Sequence, residues 1–214
     1  MSGVVTISAS YGAGGAVVGR AVADRLGLDF FDRAIPVAVA DRLAISAEEA
    51  IALDEHPPGL VERMLASLAS AAAPMASDAG VDLGRTRSGY RAGTEEILRQ
   101  IADGAGGVVL GRAAMVVLAG RSDVLSVRLD GPADRRVAQA VRLHAGEEAT
   151  ARAEQRNTDR AREAYVRIFY GTSQGEPSLY HLVIDSTAIE LATCADIVVT
   201  AARSRLPRDA AGRD

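Results

Sequence analysis

The stretch from residue 4 to residue 27 constrains the fold of this chain more than any other. A β-branched run from Val4 to Ile7 leads into a loop of small residues, and an apolar-periodic helix follows and ends at Gly27. A strand, a glycine-rich turn and a helix in this order can bind phosphate, because glycines let backbone N–H groups curl inward and the first helical turn is partly positive. The alternative is a tight strand–helix turn whose glycines serve close packing alone.

The loop departs from the phosphate-binding motif G-x-x-x-x-G-K-[ST] at three positions. Ala9 replaces the first glycine, Gly15 replaces the lysine and Ala16 replaces the hydroxyl residue. The chain has 24 Lys plus Arg, and all of them are Arg. Any cationic clamp on a phosphate must therefore be arginine, which favours planar, bidentate contacts.

Composition argues against several classes of function. A net charge of −4 gives no general attraction to nucleic acid or to an anionic membrane, and 4% aromatic residues without Trp do not suit a stacking platform for single strands. The one cysteine, Cys194, excludes an internal disulfide and a Cys-based metal site, so we expect a small core residue and a reducing cytoplasm. The three histidines are scattered, and we expect neither a signal sequence nor a membrane span.

Strand patterns that alternate with helical patterns predict an α/β fold with a parallel sheet and helices on both faces. We expect one domain over residues 1–204. Within it, residues 34–93 form a helical insert whose last part, 74–93, is an arginine-bearing loop, and residues 147–171 form a lid. A helix follows the loop from Thr94 to Ile101, and residues 205–214 form a disordered tail.

Charged residues follow several predicted strands, at the edge where open α/β sheets bind ligands. Asp32 and Arg33 follow the strand at 28–31, Arg112 follows the strand at 108–110, and Asp185 ends the last strand. Asp32 either contacts a nucleotide or a magnesium-bound water, or caps the helix starting near Ala34. Arg112 either grips a phosphate or base, or lies on the surface of the following helix.

A second informative stretch runs from Gln155 to Gly171. Arg156, Arg160 and Arg167 share one helical face, and Asp159 and Arg162 flank it. These charges either form solvated ion pairs or, on a pair of helices, form a lid over phosphate.

These motifs, in this order, resemble the cytidylate kinase-like branch of the nucleoside-monophosphate kinases. The segments that carry the resemblance are residues 7–15, 30–33, 109–113, 159–165, 169–171 and 177–185. It extends over about residues 4–200 and implies the P-loop nucleoside-monophosphate-kinase-like fold, with three layers, a central parallel sheet, a helical insert and a lid.

The resemblance implies transfer of the γ-phosphoryl group of ATP, with Mg²⁺, to a pyrimidine nucleoside monophosphate such as CMP or dCMP. It implies a backbone cradle for the ATP phosphates made by Gly12, Ala13, Gly14 and Gly15. The acceptor side would comprise Asp32, Arg33 and Arg112, with Asp185 on the acceptor ribose. The lid would supply the cations Arg156, Arg160 and Arg162, with Asp159 orienting them.

The departures from the family pattern leave alternatives open. Cytidylate kinases have lysine at position 15, a hydroxyl residue nearby that helps hold Mg²⁺, and an acidic residue where this chain has Leu110. Losing one such charge costs about 10²–10³ in rate, so turnover depends on the arginines. The alternatives are a non-catalytic nucleotide-binding sensor or partner subunit, and a kinase of a non-nucleotide small molecule. The ligands of Mg²⁺ and the oligomeric state, a homo-oligomer included, stay open.

Overall fold

The computed structural model describes residues 3–32 and 83–207, with the backbone alone for residues 83–90. Its strands are Val4–Ala9 (β1), Phe30–Phe31 (β2), Gly107–Leu110 (β3), Val124–Asp130 (β4) and Leu182–Asp185 (β5). They form one parallel sheet in the order β2–β3–β1–β4–β5. Every residue of β1 is buried, as expected for a parallel strand covered on both faces, where apolar runs are continuous.

Helices cover both faces of this sheet. They are Gly15–Leu26 (α1), Leu83–Asp103 (α2), Ala114–Val117 (α3), Ala133–His144 (α4), Glu148–Tyr170 (α5) and Leu191–Arg205 (α6), and Pro177–Leu179 forms a 3-10 turn. On one face, α1 and α6 pack against Val5, Ile7 and Val127. On the other face, α2 and α3 pack against Val4 and Val109. The predicted three-layer α/β fold with a central parallel sheet is confirmed.

The order of the strands places the glycine-rich loop at a crevice. β1 has β3 and β2 on one side and β4 and β5 on the other, so the strand order reverses at β1. Open α/β sheets bind ligands beyond the carboxyl ends of their strands at such a point. Residues 10–14 connect the carboxyl end of β1 to α1, and they therefore lie at the expected ligand-binding position.

The prediction of a loop through residue 93 is wrong for residues 83–93, which are helical in α2. Glycines and a missing apolar period made this segment look irregular, but it continues a helix whose residues Thr94 and Leu98 are fully buried. Arg91 also donates from Nη1 to the carbonyl of Phe169 in α5, at 3.0 Å. Tertiary packing here outweighs the low intrinsic helix propensity of the glycines.

Helix α5 contains the arginine-rich stretch, and helix α6 contains Cys194. The arginine-rich stretch forms one helix of 23 residues, α5, where we predicted a pair. Cys194 is fully buried in the core between α6 and the sheet, as predicted. The prediction of a disordered tail from residue 205 is wrong at its start, because Arg205 ends α6 and Leu206 is buried in the core. The predictions for residues 33–82, including Arg33 and most of the helical insert, lie outside the described residues, as does the tail beyond residue 207.

None of the helices in the described ranges is long and apolar enough to cross a lipid bilayer.

The sheet offers a matched pair of valines that tests the core. Val127 in β4 is fully buried, whereas Val183 in β5 is 57% exposed. We expect Val127→Ala to lower the free energy of unfolding by about 2 kcal/mol, because it removes two buried carbon atoms and leaves a cavity. Val183→Ala should change it by about 0.5 kcal/mol or less. Urea denaturation of both variants measures the difference, and equal losses would contradict the assigned burial.

Candidate functional site

The loop at residues 10–14 turns sharply before α1 begins. Gly12 and Gly14 have φ angles of 77° and 74°, in the left-handed region that favours glycine. A Cβ atom on Gly12 would also lie 2.2 Å from the backbone oxygen of Arg136, so a side chain does not fit there. The N–H of Ala13 donates to the carbonyl of Ser10 at 3.0 Å, which closes the turn.

The first turn of α1 has the properties of an anion site. It has no side-chain cap and no acidic residue. Within residues 3–32 and 83–207, no protein acceptor is bonded to the N–H groups of Gly14, Gly15, Ala16 and Val17. These groups carry the partial positive charge of the helix end, so they can bind an anion such as phosphate.

The packing around Gly15 explains why a glycine stands where the motif has lysine. A Cβ atom on Gly15 would lie 2.6 Å from the Cβ of Ala9 and 3.0 Å from Cδ1 of Leu110. Ala9 itself stands where the motif has glycine. Compared with the motif, position 9 has gained a methyl group and position 15 has lost its side chain. The methyl of Ala9 fills the space that the Cβ of a lysine at position 15 would need.

Helix α5 reaches the loop through two of the predicted lid residues. Oδ1 of Asp159 accepts a hydrogen bond from the N–H of Tyr11 at 2.8 Å. Arg162, whose side chain is otherwise largely exposed, donates from Nη1 to the carbonyl of Ala9 at 2.7 Å. Because Ala9 is the last residue of β1, Arg162 places a guanidinium where the loop begins.

The other two predicted lid cations lie on a different face of α5. Arg156 and Arg160 are exposed, and neither side chain forms an ion pair or hydrogen bond with the described residues. Arg167, which shares their face, is exposed and pairs with Glu163 at 3.0 Å. Of the three predicted lid arginines, the structure therefore brings Arg162 to the loop and leaves Arg156 and Arg160 facing solvent.

Three charged residues that the sequence analysis missed lie beside the loop. Arg128 donates from Nη2 to Asp130 Oδ2 at 2.7 Å and to the hydroxyl of Ser10 at 3.1 Å. Arg136, 8% exposed, lies with its Nε 3.4 Å from Asp130 Oδ1 and donates from Nη1 to Asp159 Oδ2 at 2.8 Å. The chain of charges Arg128–Asp130–Arg136–Asp159 thus connects β4 and α4 to α5 and the loop.

Burial and hydrogen bonding act in opposite directions on Asp130. Burial raises the pKa of its carboxyl group, but hydrogen bonds from Arg128 and Ser10 and the charge of Arg128 outweigh burial and hold the pKa below its usual value. The position of Asp130 at the end of a predicted strand was a signal that could have identified it. Arg136 gave no such signal, because in sequence it resembles its exposed neighbour Arg135.

Asp32 and Arg112 meet on the β3 side of the loop. Arg112 donates from Nη2 to the backbone carbonyl of Asp32 at 2.7 Å. Arg112 and Ala113 have φ angles of 62° and 50°, in the left-handed region that non-glycine residues seldom adopt. Such backbone conformations concentrate at functional sites. The structure thus brings together two of the three described residues of the predicted acceptor side.

Asp185 lies apart from this pair. It ends β5, and β1 and β4 separate β5 from β3, a distance of about 14 Å at the usual spacing of strands. Its Oδ1 accepts from the hydroxyl of Thr187 at 2.6 Å, and Arg135 lies 3.7 Å from Oδ2. The hydrogen bond from Thr187 lowers the pKa of Asp185 against a smaller effect of burial. The structure does not bring Asp185 to Asp32 and Arg112.

The described residues near the loop do not form a ligand set for Mg²⁺. No group of three or more His, Cys, Asp or Glu in the described ranges could hold a metal ion. Asp130 and Asp159 are both bonded to arginines, and Ala16 lacks the hydroxyl that the motif supplies. Nucleotide phosphates and water often provide the ligands of Mg²⁺.

The parallel sheet, the glycine-rich loop at its switch point and the helix α5 that closes on this loop define a P-loop kinase fold. The model of the cytidylate kinase-like family matches residues 4–188, and the chain belongs to this family. Of the curated proteins, none matches the chain.

Solved structures agree with the fold. An uncharacterized protein from Eubacterium ventriosum superposes with a TM-score of 0.67 at 15% identity, covering 94% of this chain and 99% of that one. A shikimate kinase from Acinetobacter baumannii, in complex with shikimate, gives 0.50 at 15% identity and covers 95% and 94%. A gluconokinase from Sinorhizobium meliloti gives 0.50 at 15% identity and covers 94% and 92%. At this identity the likeness supports the fold alone.

A double-mutant cycle tests the packing of Ala9 against Gly15. We expect Gly15→Lys to lower the free energy of unfolding by about 1–3 kcal/mol, because the new Cβ overpacks the loop. In the Ala9→Gly background the same substitution should cost less, with a coupling of about 1 kcal/mol. Ala16→Lys at the neighbouring exposed position is the control and should be nearly neutral. Strict additivity of Ala9→Gly and Gly15→Lys would contradict the steric account.

Asp130→Asn tests the charge chain. We expect the variant to be about 1–3 kcal/mol less stable than the wild type at pH 7, because the buried Arg136 and the partly buried Arg128 lose their shared carboxylate. Since the folded pKa of Asp130 is depressed, its contribution is present above the unfolded pKa of about 3.9 and is lost as the pH falls through the folded pKa. The difference should shrink in urea titrations below about pH 4.

The matched control is Asp134→Asn on α4, whose carboxylate is 84% exposed and pairs with Arg152. It should change stability by about 0.5 kcal/mol or less. A stability loss in Asp130→Asn that does not vary with pH would show that the charge of Asp130 is not the cause.

Proposed function

We propose that this chain is a phosphotransferase that moves the γ-phosphoryl group of ATP to a nucleoside monophosphate, with CMP or dCMP as the first acceptors to test. The observation that carries the proposal is the contact of α5 with the loop, where Asp159 bonds Tyr11 and Arg162 bonds the carbonyl of Ala9 at the end of β1. A cation from another element thus lies where the loop begins, and this loop leads to the backbone groups that can bind phosphate. Membership of the cytidylate kinase-like family supports the reaction class.

In this proposal the chain acts by positioning and by neutralising charge, which is most of what phosphoryl transfer requires. The N–H groups from Gly14 to Val17 bind the ATP phosphates, and Arg162 neutralises charge on the transferring group. An oxygen of the acceptor phosphate forms a bond to the γ-phosphorus while the bond to the β–γ bridging oxygen breaks, so ADP leaves. Mg²⁺, held by the phosphates and water, would neutralise further charge when bound.

The acceptor binds on the β3 side of the loop, where Arg112 adjoins Asp32. A guanidinium there suits the phosphate of a monophosphate, because it binds phosphate in a planar, bidentate manner. The pyrimidine preference rests on the family alone. The shikimate kinase and the gluconokinase act on small molecules that are not nucleotides, so the acceptor panel must include a polyol and a hydroxy acid.

A second candidate function is nucleotide binding without turnover, as a sensor or a partner subunit. The packing of Gly15 against Ala9 favours it, because this packing excludes the lysine stem. The bonding of Asp130 and Asp159 to arginines favours it as well, since these carboxylates are not available to a metal ion without rearrangement.

Incubation of the purified protein with ATP, Mg²⁺ and a panel of acceptors, followed by separation of the products, distinguishes the candidates. A nucleoside diphosphate formed from CMP or dCMP supports the first proposal, and a phosphorylated polyol or acid replaces its acceptor class. Tight ATP binding in a calorimeter with no product from any acceptor supports the second candidate. No binding and no product would refute both.

Arg162→Gln tests the role of the lid cation. We expect it to lower kcat/KM by about 10²–10³-fold, in line with the loss of one group that stabilises transition-state charge. Arg167→Gln removes a charge from the same helix at a position that pairs with Glu163, and it should leave turnover unchanged. Steady-state kinetics of both variants provide the comparison. Equal activity in the two would refute a role for Arg162 in the reaction.

A further inference from the structure

The carbonyl groups of three successive loop residues each accept a hydrogen bond from a buried side chain. The bonds join Arg136 Nη1 to Tyr11 at 2.8 Å, Gln139 Nε2 to Gly12 at 3.0 Å, and Ser186 Oγ to Ala13 at 2.8 Å. The three donor residues are 8%, 7% and 0% exposed. Water therefore competes little with these bonds, and they restrain the loop strongly.

These bonds determine which way the loop amides point. All peptide bonds of the described chain are trans, and in a planar trans peptide the carbonyl and the following N–H point in opposite directions. Carbonyls that are turned toward α4 and the end of β5 therefore direct the N–H groups of residues 12, 13 and 14 to the other side. Of these, the N–H of Ala13 closes the turn on Ser10. The N–H groups of Gly12 and Gly14 have no acceptor in the described ranges.

We propose that Arg136, Gln139 and Ser186 are positioning residues, which orient the amides of the lysine-free loop toward the phosphates of a bound nucleotide. The inference rests on the proposed function to the extent that this loop binds the nucleotide phosphates. Donors on α4 and at the end of β5 fix the backbone conformation of the loop. The small residues of the loop cannot fix it with their own side chains. Without them, Gly12 and Gly14 would sample many backbone conformations, and binding would pay the entropy of ordering them.

Arg136 also connects this restraint to α5. Its Nη1 bonds both the carbonyl of Tyr11 and Oδ2 of Asp159, and Oδ1 of Asp159 accepts from the N–H of Tyr11. The two charged side chains thus hold both backbone polar groups of Tyr11. The side chain of Tyr11 is fixed as well, since its hydroxyl bonds Glu154 at 2.5 Å and its ring packs on Val137 and Ala140. The entry of the loop is rigid before any ligand arrives.

Inorganic tripolyphosphate is the probe, because it needs the amide cradle but neither acceptor nor turnover. Calorimetry gives its affinity for the full chain, and amide NMR follows Gly12 and Gly14. We expect Gln139→Leu and Ser186→Ala each to raise Kd by about 5-fold, the value of one neutral hydrogen bond. Arg136→Gln should raise it by about 10-fold or more, because it removes a charged donor. The Gly12 and Gly14 amide signals should broaden or shift in the free variants.

The control is Arg142→Gln, which removes an exposed charge from the same helix, α4. It should leave the Kd and both amide signals unchanged. If Arg136→Gln does not fold, Gln139→Leu and Ser186→Ala still decide the question. Unchanged affinity and unchanged glycine signals in these folded variants would overturn the inference, as would glycine amides that do not respond to tripolyphosphate in the wild type.

The outcome is separable from that of the proposed function. A chain that transfers no phosphoryl group but loses tripolyphosphate affinity in these variants supports the inference and refutes the reaction. A chain that phosphorylates CMP, while the variants bind tripolyphosphate as the wild type does, supports the reaction and refutes the inference.

Discussion

A loop of Gly12, Ala13 and Gly14 has no side chain long enough to bond its own backbone, and two of its residues have left-handed φ angles. Its shape therefore depends on groups from elsewhere in the chain. Arg136 is central among them, because one buried guanidinium bonds the loop, Asp159 and the carbonyl of Gly131. A buried charge of this kind is stable only when its donors are paired, so the loop, α4 and α5 constrain one another.

The positive charge near the loop, like the shape of the loop, comes from residues of other elements and not from a lysine at position 15. A lysine at position 15 would bring its charge from inside the loop, at the cost of the space that the methyl of Ala9 now fills. Here Arg162 approaches the start of the loop from α5, while Arg128 and Arg136 bond the loop from β4 and α4. An arginine on a separate helix can retract when that helix moves, whereas a residue of the loop cannot. In a chain without lysine, the position of α5 then decides whether the charge of Arg162 adds to the charges of Arg128 and Arg136.

Local patterns predicted the layers, the parallel sheet and the placement of the loop at the carboxyl end of β1, because apolar runs and glycine-rich turns report burial and backbone geometry directly. They failed at residues 83–93, where glycines concealed a helix that packs through Leu98. The family resemblance gave Arg156, Arg160 and Arg162 the same lid role, although helical spacing set Arg162 beside the face that the other two share. Only the packed helix separates Arg162, which bonds the loop, from the two that face solvent.

By itself, the sequence determined that this chain folds as an α/β domain with a parallel sheet, and that any strong cation at its glycine-rich loop must be a guanidinium. Both conclusions follow from local properties of the chain, namely the periodicity of its apolar residues and the absence of lysine. The tertiary structure decided which arginines reach the loop, and it separated Asp185 from Asp32 and Arg112. These relations join residues far apart in the chain, such as Arg136 with Tyr11 and Arg162 with Ala9, so no local pattern contains them.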